Sequence, residues 1–239
     1  MKVLGKEQIV IDRSEGYIGV LIDDLVTKDN HEPYRMMTSR SEYRLLLRQD
    51  NADQRLTRIG YKVGLISEER YQHLLEKETQ INEEVKRLES VNVGSSEKVN
   101  KTLKRYNSTE LKSGTTLAEL LKRPELKYEF LEEIDPGRPQ LSKEVTDQVE
   151  INLKYDGYIK RQLKQVEQFK KLENKKIPLD LDYKEIGSLR AEAVQKLENY
   201  RPLSIGQASR ISGVSPADIS VILVYLEQRK HLLKDREES

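Results

Sequence analysis

The sequence predicts an all-α protein, a multi-helix bundle with long antiparallel helices and a compact C-terminal helical subdomain that contains a helix-turn-helix-like unit. Charged residues make up 35% of the 239 residues and mean hydropathy is -0.74, values typical of long solvated helices. Gly and Pro number only 12 and 7, which disfavours a turn-rich β-sandwich. Apolar residues recur at intervals of three and four along several segments, the period of an amphipathic helix.

Short elements are predicted at the start of the chain. Residues 8–11, with the sequence QIVI, favour a short strand. Apolar residues from Tyr17 to Leu25 recur at helical spacing, which predicts a small amphipathic helix. We expect residues 1–37 to form a connecting segment ahead of the main helical bundle.

Two further helices are predicted before residue 65. Ser39 and Glu42 have the spacing of a capping box, so a helix is expected from about Arg40 to Arg48. Asn51 can cap the following helix, ADQRLTRIGYKVG, which Gly64 would close.

Two long helices dominate the expected subdomain at residues 38–178. The first follows Ser67 and carries a narrow apolar stripe that includes Leu74, Ile81 and Leu88. The second is expected over about residues 142–175, interrupted by Gly157, and is predicted to pack antiparallel to the first. Between them, short helices separated by VGSS, KSG and DPGRP predict a helical insert.

Residues 179–239 are expected to form the compact C-terminal helical subdomain, which KKIPLDLDY connects to the bundle. Within it, LSIGQASRISGVSPADISVILVYL has the outline of a DNA-reading helix-turn-helix. From Ile219 the second helix is apolar nearly all round, so it lacks the polar face that would contact base edges. This helix is therefore either buried or offers an apolar surface to a partner.

Composition excludes several classes of site. The chain has no cysteine, which rules out disulfides, thiolate zinc sites and cysteine nucleophiles and is compatible with a cytoplasmic location. Its three histidines lie far apart, so no metal site is predicted. We expect a soluble protein, because no apolar run could span a bilayer and the N-terminus lacks a signal-peptide pattern. A net charge of +1 gives no global attraction to nucleic acid, so such binding requires a local patch.

The clearest local patch lies between residues 35 and 62, where seven basic side chains accompany three acidic ones. On the predicted helix, Arg40, Arg44 and Arg48 would line one face, and a polyanion would relieve their repulsion. Guanidinium groups grip phosphate oxygens, and Tyr34 and Tyr43 offer stacking surfaces for unpaired bases. The alternative, that carboxylates neutralise these arginines, stays open. The candidate RNA-contacting residues are Arg35, Arg40, Arg44, Arg48, Arg55 and Arg58.

Longer motifs resemble a known family. The stretches HEPYRMMTSRSEYRLLLRQDNADQRLTRIGYKVGLI, KYDGYIKRQ, LDLDY and RPLSIGQASRISGVSPADISVILVYL, together with YIGVLIDDLVTK, closely resemble the C-terminal region of the MnmG/GidA family of bacterial tRNA-modifying enzymes. The resemblance covers essentially the whole chain. It implies that Arg35, Arg40, Arg44 and Arg48, which match the family's Arg-rich stretch, contact tRNA phosphates. The chain departs from the family pattern at Met37, where an aromatic residue is usual, and in the segment around Glu192.

The resemblance implies a longer flavoenzyme with FAD-binding and NADH-binding domains ahead of this region. The sequence has no GxGxxG after a strand, so we expect this chain to be a fragment without those domains and inactive alone. The family adds an aminomethyl or carboxymethylaminomethyl group to C5 of the wobble uridine of tRNA, jointly with the GTPase MnmE. A homodimer is implied for the full-length enzyme. We predict no catalytic, cofactor-binding or metal-binding residues in this chain. Adjacent acidic residues such as Asp23 and Asp24 point to different helix faces, so they are not arranged to share a substrate proton.

Two family motifs supply further candidate contacts to tRNA or to a partner, and a third segment adds one carboxylate. Gly206 and Gly213 also fit a tightly turned helical bundle, with Gly213 as a helix C-cap, and Glu192 fits an ordinary surface carboxylate. Arg210 is the residue that such packing does not obviously use. The candidates are Gly157, Tyr158 and Arg161 in GYIxRQ, Gly206, Gln207, Ser209, Arg210 and Gly213 in SIGQASRISG, and Glu192.

Two other functions stay open from the sequence. A DNA-binding regulator would use the C-terminal helix-turn-helix outline, and a structural helical adaptor would bind a partner through the apolar helix at residues 219–226.

Overall fold

The computed structural model describes Gly5 and residues 8–28 and 32–237, with side-chain surroundings given as far as residue 230. The described residues form a predominantly helical structure, which confirms the predicted all-α class. Parts of the expected connecting segment, residues 1–4, 6–7 and 29–31, lie outside the described residues. The α-helices are α1 (Tyr17–Thr27), α2 (Ala52–Lys62), α3 (Glu68–Ser90), α4 (Glu97–Arg105), α5 (Leu117–Leu121), α6 (Lys143–Lys154), α7 (Asp156–Asn174), α8 (Ala191–Tyr200), α9 (Ile205–Arg210) and α10 (Pro216–Glu237).

The chain divides into two compact units. The first unit comprises residues 1–9 and 45–162, and the second unit comprises residues 10–44 and 163–239. The α7 helix begins in the first unit and ends in the second. The division of the sequence into segments 1–37, 38–178 and 179–239 stays a prediction.

The core of the first unit is built around α3. Its buried side chains Leu74, Ile81 and Leu88 recur every seven residues, which keeps them on one face of the helix. Ile81 and Leu88 pack in a cluster that also contains residues of α4, α5 and α6. As predicted, Ser67 caps α3 by accepting a hydrogen bond from the backbone N–H of Arg70.

Side-chain contacts give the directions of the long helices. The α2 and α3 helices form an antiparallel hairpin, because Tyr61 at the end of α2 stacks on Tyr71 near the start of α3. By contrast, Lys77 of α3 contacts Glu144 at the start of α6, and Glu84 and Glu150 both bind Tyr128. Residue numbers therefore rise in the same sense along α3 and α6. The predicted antiparallel packing of these two helices is wrong, because the insert between them carries the chain back before α6 begins.

The predicted helical insert is present between α3 and α6. Two short strands, β1 (Asn92–Val93) and β2 (Thr115–Thr116), pair antiparallel within it. Ser96 and Thr116 cap α4 and α5 through their side-chain oxygens. A 3₁₀ segment, Tyr128–Glu133, precedes α6, which Ser142 caps.

The second unit has its own core. Tyr183, Leu197, Ile205 and Ile222 are almost fully buried there, in a cluster formed by the connection after α7 and by α8, α9 and α10. The KKIPLDLDY stretch belongs to this core, since Ile177 is buried and its N–H donates to the carbonyl of Leu203 at 3.0 Å.

The predicted helix-turn-helix outline is present in α9 and α10. Ser204 caps α9 by accepting from the N–H of Gln207. Gly213 has φ of +95°, a left-handed conformation that favours glycine and lets the chain turn after α9. Ser215 and Asp218 form reciprocal bonds at the start of α10, the geometry of a capping box.

Two local predictions are wrong. Residues 8–11 form no strand, and the α-helix expected from about Arg40 to Arg48 is replaced by a 3₁₀ turn, Thr38–Arg40, followed by irregular turns. Side chains take the backbone groups that a helix would use. The N–H of Leu46 donates to Gln162 at 3.0 Å, and the amide of Asn51 donates to the carbonyl of Leu46 at 3.1 Å.

Candidate nucleic-acid interface

The arginines predicted to line one helix face do not do so, because no α-helix forms at residues 40–48. In the second unit, Arg35 and Arg44 are exposed, and neither has a carboxylate partner among the residues that the structure describes. Their guanidinium groups are therefore available to an anionic ligand.

Arg40 lies close to an aromatic ring of the same unit. Its guanidinium carbon sits 4.3 Å from the centre of the Tyr34 ring, a cation–π contact. Its Nε donates to the carbonyl oxygen of Arg35 at 3.0 Å. These two contacts fix the direction of the Arg40 side chain while part of it stays open to solvent.

The three candidate arginines of the first unit are engaged by the protein itself. Arg48 pairs with Asp50 at 3.1 Å and also reaches Gln148. Arg55 donates to Asn51 and to the carbonyl of Arg48. Arg58 pairs with Glu78. Arg48, Arg55 and Arg58 therefore follow the alternative interpretation, in which groups of the protein itself, rather than RNA, engage the arginine side chains.

The GYIxRQ motif lies at the start of α7. Tyr158 is 60% exposed, and Arg161 is exposed with no carboxylate partner within the described part of the chain. Gly157 is exposed, and a Cβ added there would meet no atom within 4 Å. Tyr158 and Arg161 thus combine a stacking surface and a free cation on one helix.

Most residues of the SIGQASRISG motif have structural contacts. Gln207 accepts from the N–H of Leu203, and Ser209 donates to the carbonyl of Gly206. A Cβ at Gly206 would lie 2.0 Å from the Glu173 carboxylate, so glycine lets that group approach α9. Near the turn, the exposed Glu192 lies beside Gly213, where an added Cβ would lie 2.8 Å from its carboxylate oxygen.

Arg210 is largely buried rather than available to a ligand. Its Nε and Nη2 donate to the two carboxylate oxygens of Asp23, each at 2.7 Å, and its Nη1 pairs with Glu173. The guanidinium also lies 5.3 Å from the centre of the Phe169 ring. Burial alone would lower the pKa of Arg210, but the hydrogen bonds to Asp23 and Glu173 raise it, so the side chain stays charged.

The sequence-based predictions missed Arg13, which is the centre of a charged cluster in the second unit. Its side chain is 2% exposed and contacts Asp23 at 2.9 Å, Asp24 at 2.7 Å and Glu42 at 2.7 Å. The adjacent Asp23 and Asp24 do share a partner, despite their different directions on α1. A signal was present, since two acidic residues inside an apolar helix require cationic partners if they are buried.

Hydrogen bonds tune the ionisation of this cluster. Burial alone would raise the pKa of Asp24, but donors from Lys28, Arg13 and Tyr34 outweigh it and hold that pKa below its usual value. Burial, together with the hydrogen bond to Asp24, raises the pKa of Tyr34 to about 12. At neutral pH a charged Asp24 carboxylate therefore accepts a hydrogen bond from a neutral Tyr34 phenol.

The described residues contain one small sheet of two strands. Their strands β1 and β2 pair antiparallel, whereas a flavin or nicotinamide dinucleotide is held by a parallel βαβ unit. None of the described helices is both long and apolar enough to cross a membrane.

Two family models match the chain. The tRNA modifying enzyme MnmG/GidA C-terminal helical domain matches residues 68–163, and the C-terminal helical bundle of the same enzyme matches residues 165–239. The chain belongs to the MnmG/GidA family. The boundary between the two models lies close to residues 162 and 163, where α7 passes from the first unit to the second.

Curated relatives and solved structures agree with this assignment. The tRNA uridine 5-carboxymethylaminomethyl modification enzyme MnmG of Lachnoclostridium phytofermentans is 68% identical over 95% of this chain. The enzyme with the same name from Caldicellulosiruptor saccharolyticus is 63% identical over 96% of it. A crystal structure of Aquifex aeolicus GidA matches 94% of the chain with 41% identity and a TM-score of 0.77. The chain spans about 36% of the length of the first relative, 37% of the second and 35% of the Aquifex chain.

Proposed function

We propose that this chain is the tRNA-contacting helical part of an enzyme that modifies C5 of the wobble uridine of tRNA. The MnmG relatives named above are tRNA uridine modification enzymes, and the whole match to them supports this assignment. The FAD and NADH chemistry of the family belongs, in this proposal, to parts of the full-length enzyme other than these residues. A cytoplasmic location follows from tRNA as the substrate.

The proposal rests on two exposed arginines of the second unit, Arg35 and Arg44, which have no carboxylate partner among the described residues. They precede and follow Arg40 in the sequence. An unpaired exposed guanidinium keeps its full attraction for phosphate, because no protein carboxylate competes for its donors. Arg40 is already oriented on Tyr34, so its ordering costs little further entropy on binding. Arg48, Arg55 and Arg58 are weaker candidates, since a phosphate would have to displace their present partners.

A direct test compares tRNA binding by the full chain before and after removal of the two free cations. The double variant Arg35→Ala/Arg44→Ala is expected to weaken tRNA binding by roughly tenfold and to flatten its salt dependence by about two counterions. The matched control Arg70→Ala/Lys101→Ala removes the same charge from exposed positions of the first unit that also have no carboxylate partner among the described residues. Equal affinity and equal salt slope for the two double variants would reject this contact surface.

Docking of the GTPase MnmE is the second part of the proposal. On α10 the side chains of Ile219 and Ile222 are buried, whereas Val224 is 58% exposed. Val224 lines a groove with Ile186, Val221 and Tyr225. We expect Val224→Asp to reduce recovery of the cognate GTPase in a pull-down with the full chain. The control is Val10→Asp, at a residue that is 82% exposed outside the groove.

The DNA-binding alternative has weaker support. The burial of Ile219 and Ile222 explains why α10 is apolar, and it leaves few polar side chains for base edges. A gel-shift comparison decides between the two ligands. Binding of a duplex in preference to tRNA at equal salt would favour the DNA-binding reading, and preference for tRNA would favour the proposed function.

The structural-adaptor alternative predicts partner binding without nucleic-acid affinity. A titration of the chain with labelled tRNA at two salt concentrations tests this alternative, because an adaptor would show no salt-dependent binding of tRNA.

A further inference from the structure

Arg210 begins a continuous chain of buried contacts in the second unit. Its side chain is 13% exposed, and its planar fork holds both oxygens of Asp23 at 2.7 Å. Two parallel bonds fix the orientation of both groups, which a single charge–charge contact would not do. Arg210 belongs to a family motif, but its guanidinium is too deeply buried to contact RNA directly.

The contacts continue from Asp23 through Arg13. The Nη1 atom of Arg13 lies 2.9 Å from Asp23 and 2.7 Å from Asp24. Arg13 is 2% exposed and Asp24 is fully buried, so water cannot replace a partner that moves away. Lys28 and Glu42 also contact these two residues. Lys28 lies 2.8 Å from Asp24, and Glu42 lies 2.7 Å from Arg13.

The chain of contacts ends at the candidate interface. The Tyr34 hydroxyl donates to the second oxygen of Asp24 at 2.8 Å, and the same tyrosine ring carries the Arg40 guanidinium at 4.3 Å. Arg40 in turn donates to the backbone carbonyl of Arg35 at 3.0 Å. Each link therefore fixes the position of the next, from α9 to the exposed arginines.

We propose that Arg210 is a positioning residue that sets the orientation of Arg40 without touching the ligand itself. The intermediates are, in order, Asp23, Arg13, Asp24 and Tyr34. This inference rests on the proposed function for its effect on tRNA, but the coupling between Arg210 and Tyr34 can be observed without any ligand.

The first measurement uses the full chain carrying 3-fluorotyrosine and follows the fluorine resonance of Tyr34, assigned with Tyr34→Phe. Arg210→Gln is expected to shift this resonance, and Arg210→Lys is expected to restore it only in part, because one ammonium cannot form two parallel bonds. The control Arg190→Gln removes another guanidinium–carboxylate pair of the second unit, which lies outside this chain of contacts. An unchanged Tyr34 resonance in folded Arg210→Gln would overturn the inference.

The second measurement is a double-mutant cycle on tRNA affinity. Arg210→Gln and Tyr34→Phe should each weaken tRNA binding roughly fivefold. The double variant should lose no further affinity, because both substitutions interrupt the same series of contacts. Additive losses, or a lower melting temperature with unchanged affinity, would reduce Arg210 to a structural residue. Absence of tRNA binding by the unmodified chain would reject the proposed function, while the fluorine measurement would still decide the coupling.

Discussion

The guanidinium of Arg190 donates to the carboxylate of Asp218 at 2.6 Å, while the same carboxylate accepts the backbone N–H of Ser215 at 2.8 Å. Asp218 thus joins the residue before α8 to the first turn of α10. The hydrogen bonds from Arg190 and Ser215 hold the pKa of Asp218 well below its usual value. The carboxylate of a capping box is also favoured by the positive end of the helix dipole.

This pairing makes the stability of the second unit sensitive to acid. Because the pKa of Asp218 is lower in the folded than in the unfolded protein, its contribution is complete above the unfolded value of about 3.9 and is lost as pH falls below it. Asp218→Ala should cost about 1–2 kcal/mol at neutral pH and less near pH 3. Denaturant unfolding at both pH values measures the difference. The exposed control Glu185→Gln should leave the free energy of unfolding unchanged at neutral pH. An equal penalty for Asp218→Ala at both pH values would contradict the prediction.

Tyr34 should affect stability at the alkaline end. Its pKa is raised to about 12 by burial and by Asp24, so the folded protein holds the phenolic proton more tightly than the unfolded chain. The contribution is therefore complete below the unfolded pKa of about 10 and disappears as pH rises toward 12. Ultraviolet titration of the protein and of Tyr34→Phe should differ by one tyrosine that ionises late. Loss of an early-ionising tyrosine instead would exclude the Tyr34–Asp24 bond.

A buried carboxylate in the first unit should be important for its stability. Glu84 is 3% exposed and accepts from Arg87 twice and from the Tyr128 hydroxyl, each at 2.8 Å. Tyr128→Phe should cost about 1 kcal/mol, and Glu84→Ala about 3 kcal/mol or more, because the second change leaves Arg87 with one partner fewer in a partly buried site. Chemical denaturation provides both values. Tyr158→Phe, at a residue that is 60% exposed, should be neutral.

Two glycines of the family motifs should respond in opposite ways to alanine. At Gly206 a Cβ would lie 2.0 Å from the Glu173 carboxylate, so Gly206→Ala should displace Glu173 from Arg210 and lower the melting temperature. At Gly157 an added Cβ meets no atom within 4 Å on the exposed surface of α7, and alanine favours a helix by about 0.5–1 kcal/mol. Gly157→Ala should therefore raise the melting temperature. A stabilising Gly206→Ala would show that Glu173 moves aside without loss.

Local signals predicted most of the helical fold. Capping residues such as Ser67 and Ser142 lie where the sequence places them, because an N-cap depends only on the next three residues. The direction in which α6 runs relative to α3 could not be predicted from such local signals. It depends on the path of the whole insert, which no local pattern describes.

The candidate interface was harder to predict. The capping-box spacing of Ser39 and Glu42 suggested a helix, but Glu42 pairs with Arg13 instead. Arg48 and Arg58 each have a partner that only the folded chain brings close, Gln148 for the first and Glu78 for the second. The burial of Arg210 likewise depends on Asp23, which lies 187 positions earlier in the chain.

The second unit is assembled from residues 10–44 and 163–239, so its two parts are made at different times on the ribosome. The earlier part leaves the exit tunnel with Asp23 and Asp24 in place, but Arg210 is added only after all of residues 45–162 have been synthesised. Until then the two carboxylates on this apolar helix lack one of their cationic partners. The second unit therefore completes its folding only when the long-range contact between Arg210 and Asp23 forms. A nascent chain halted before α9 should therefore expose α1 to proteases and chaperones, whereas the completed chain should protect it.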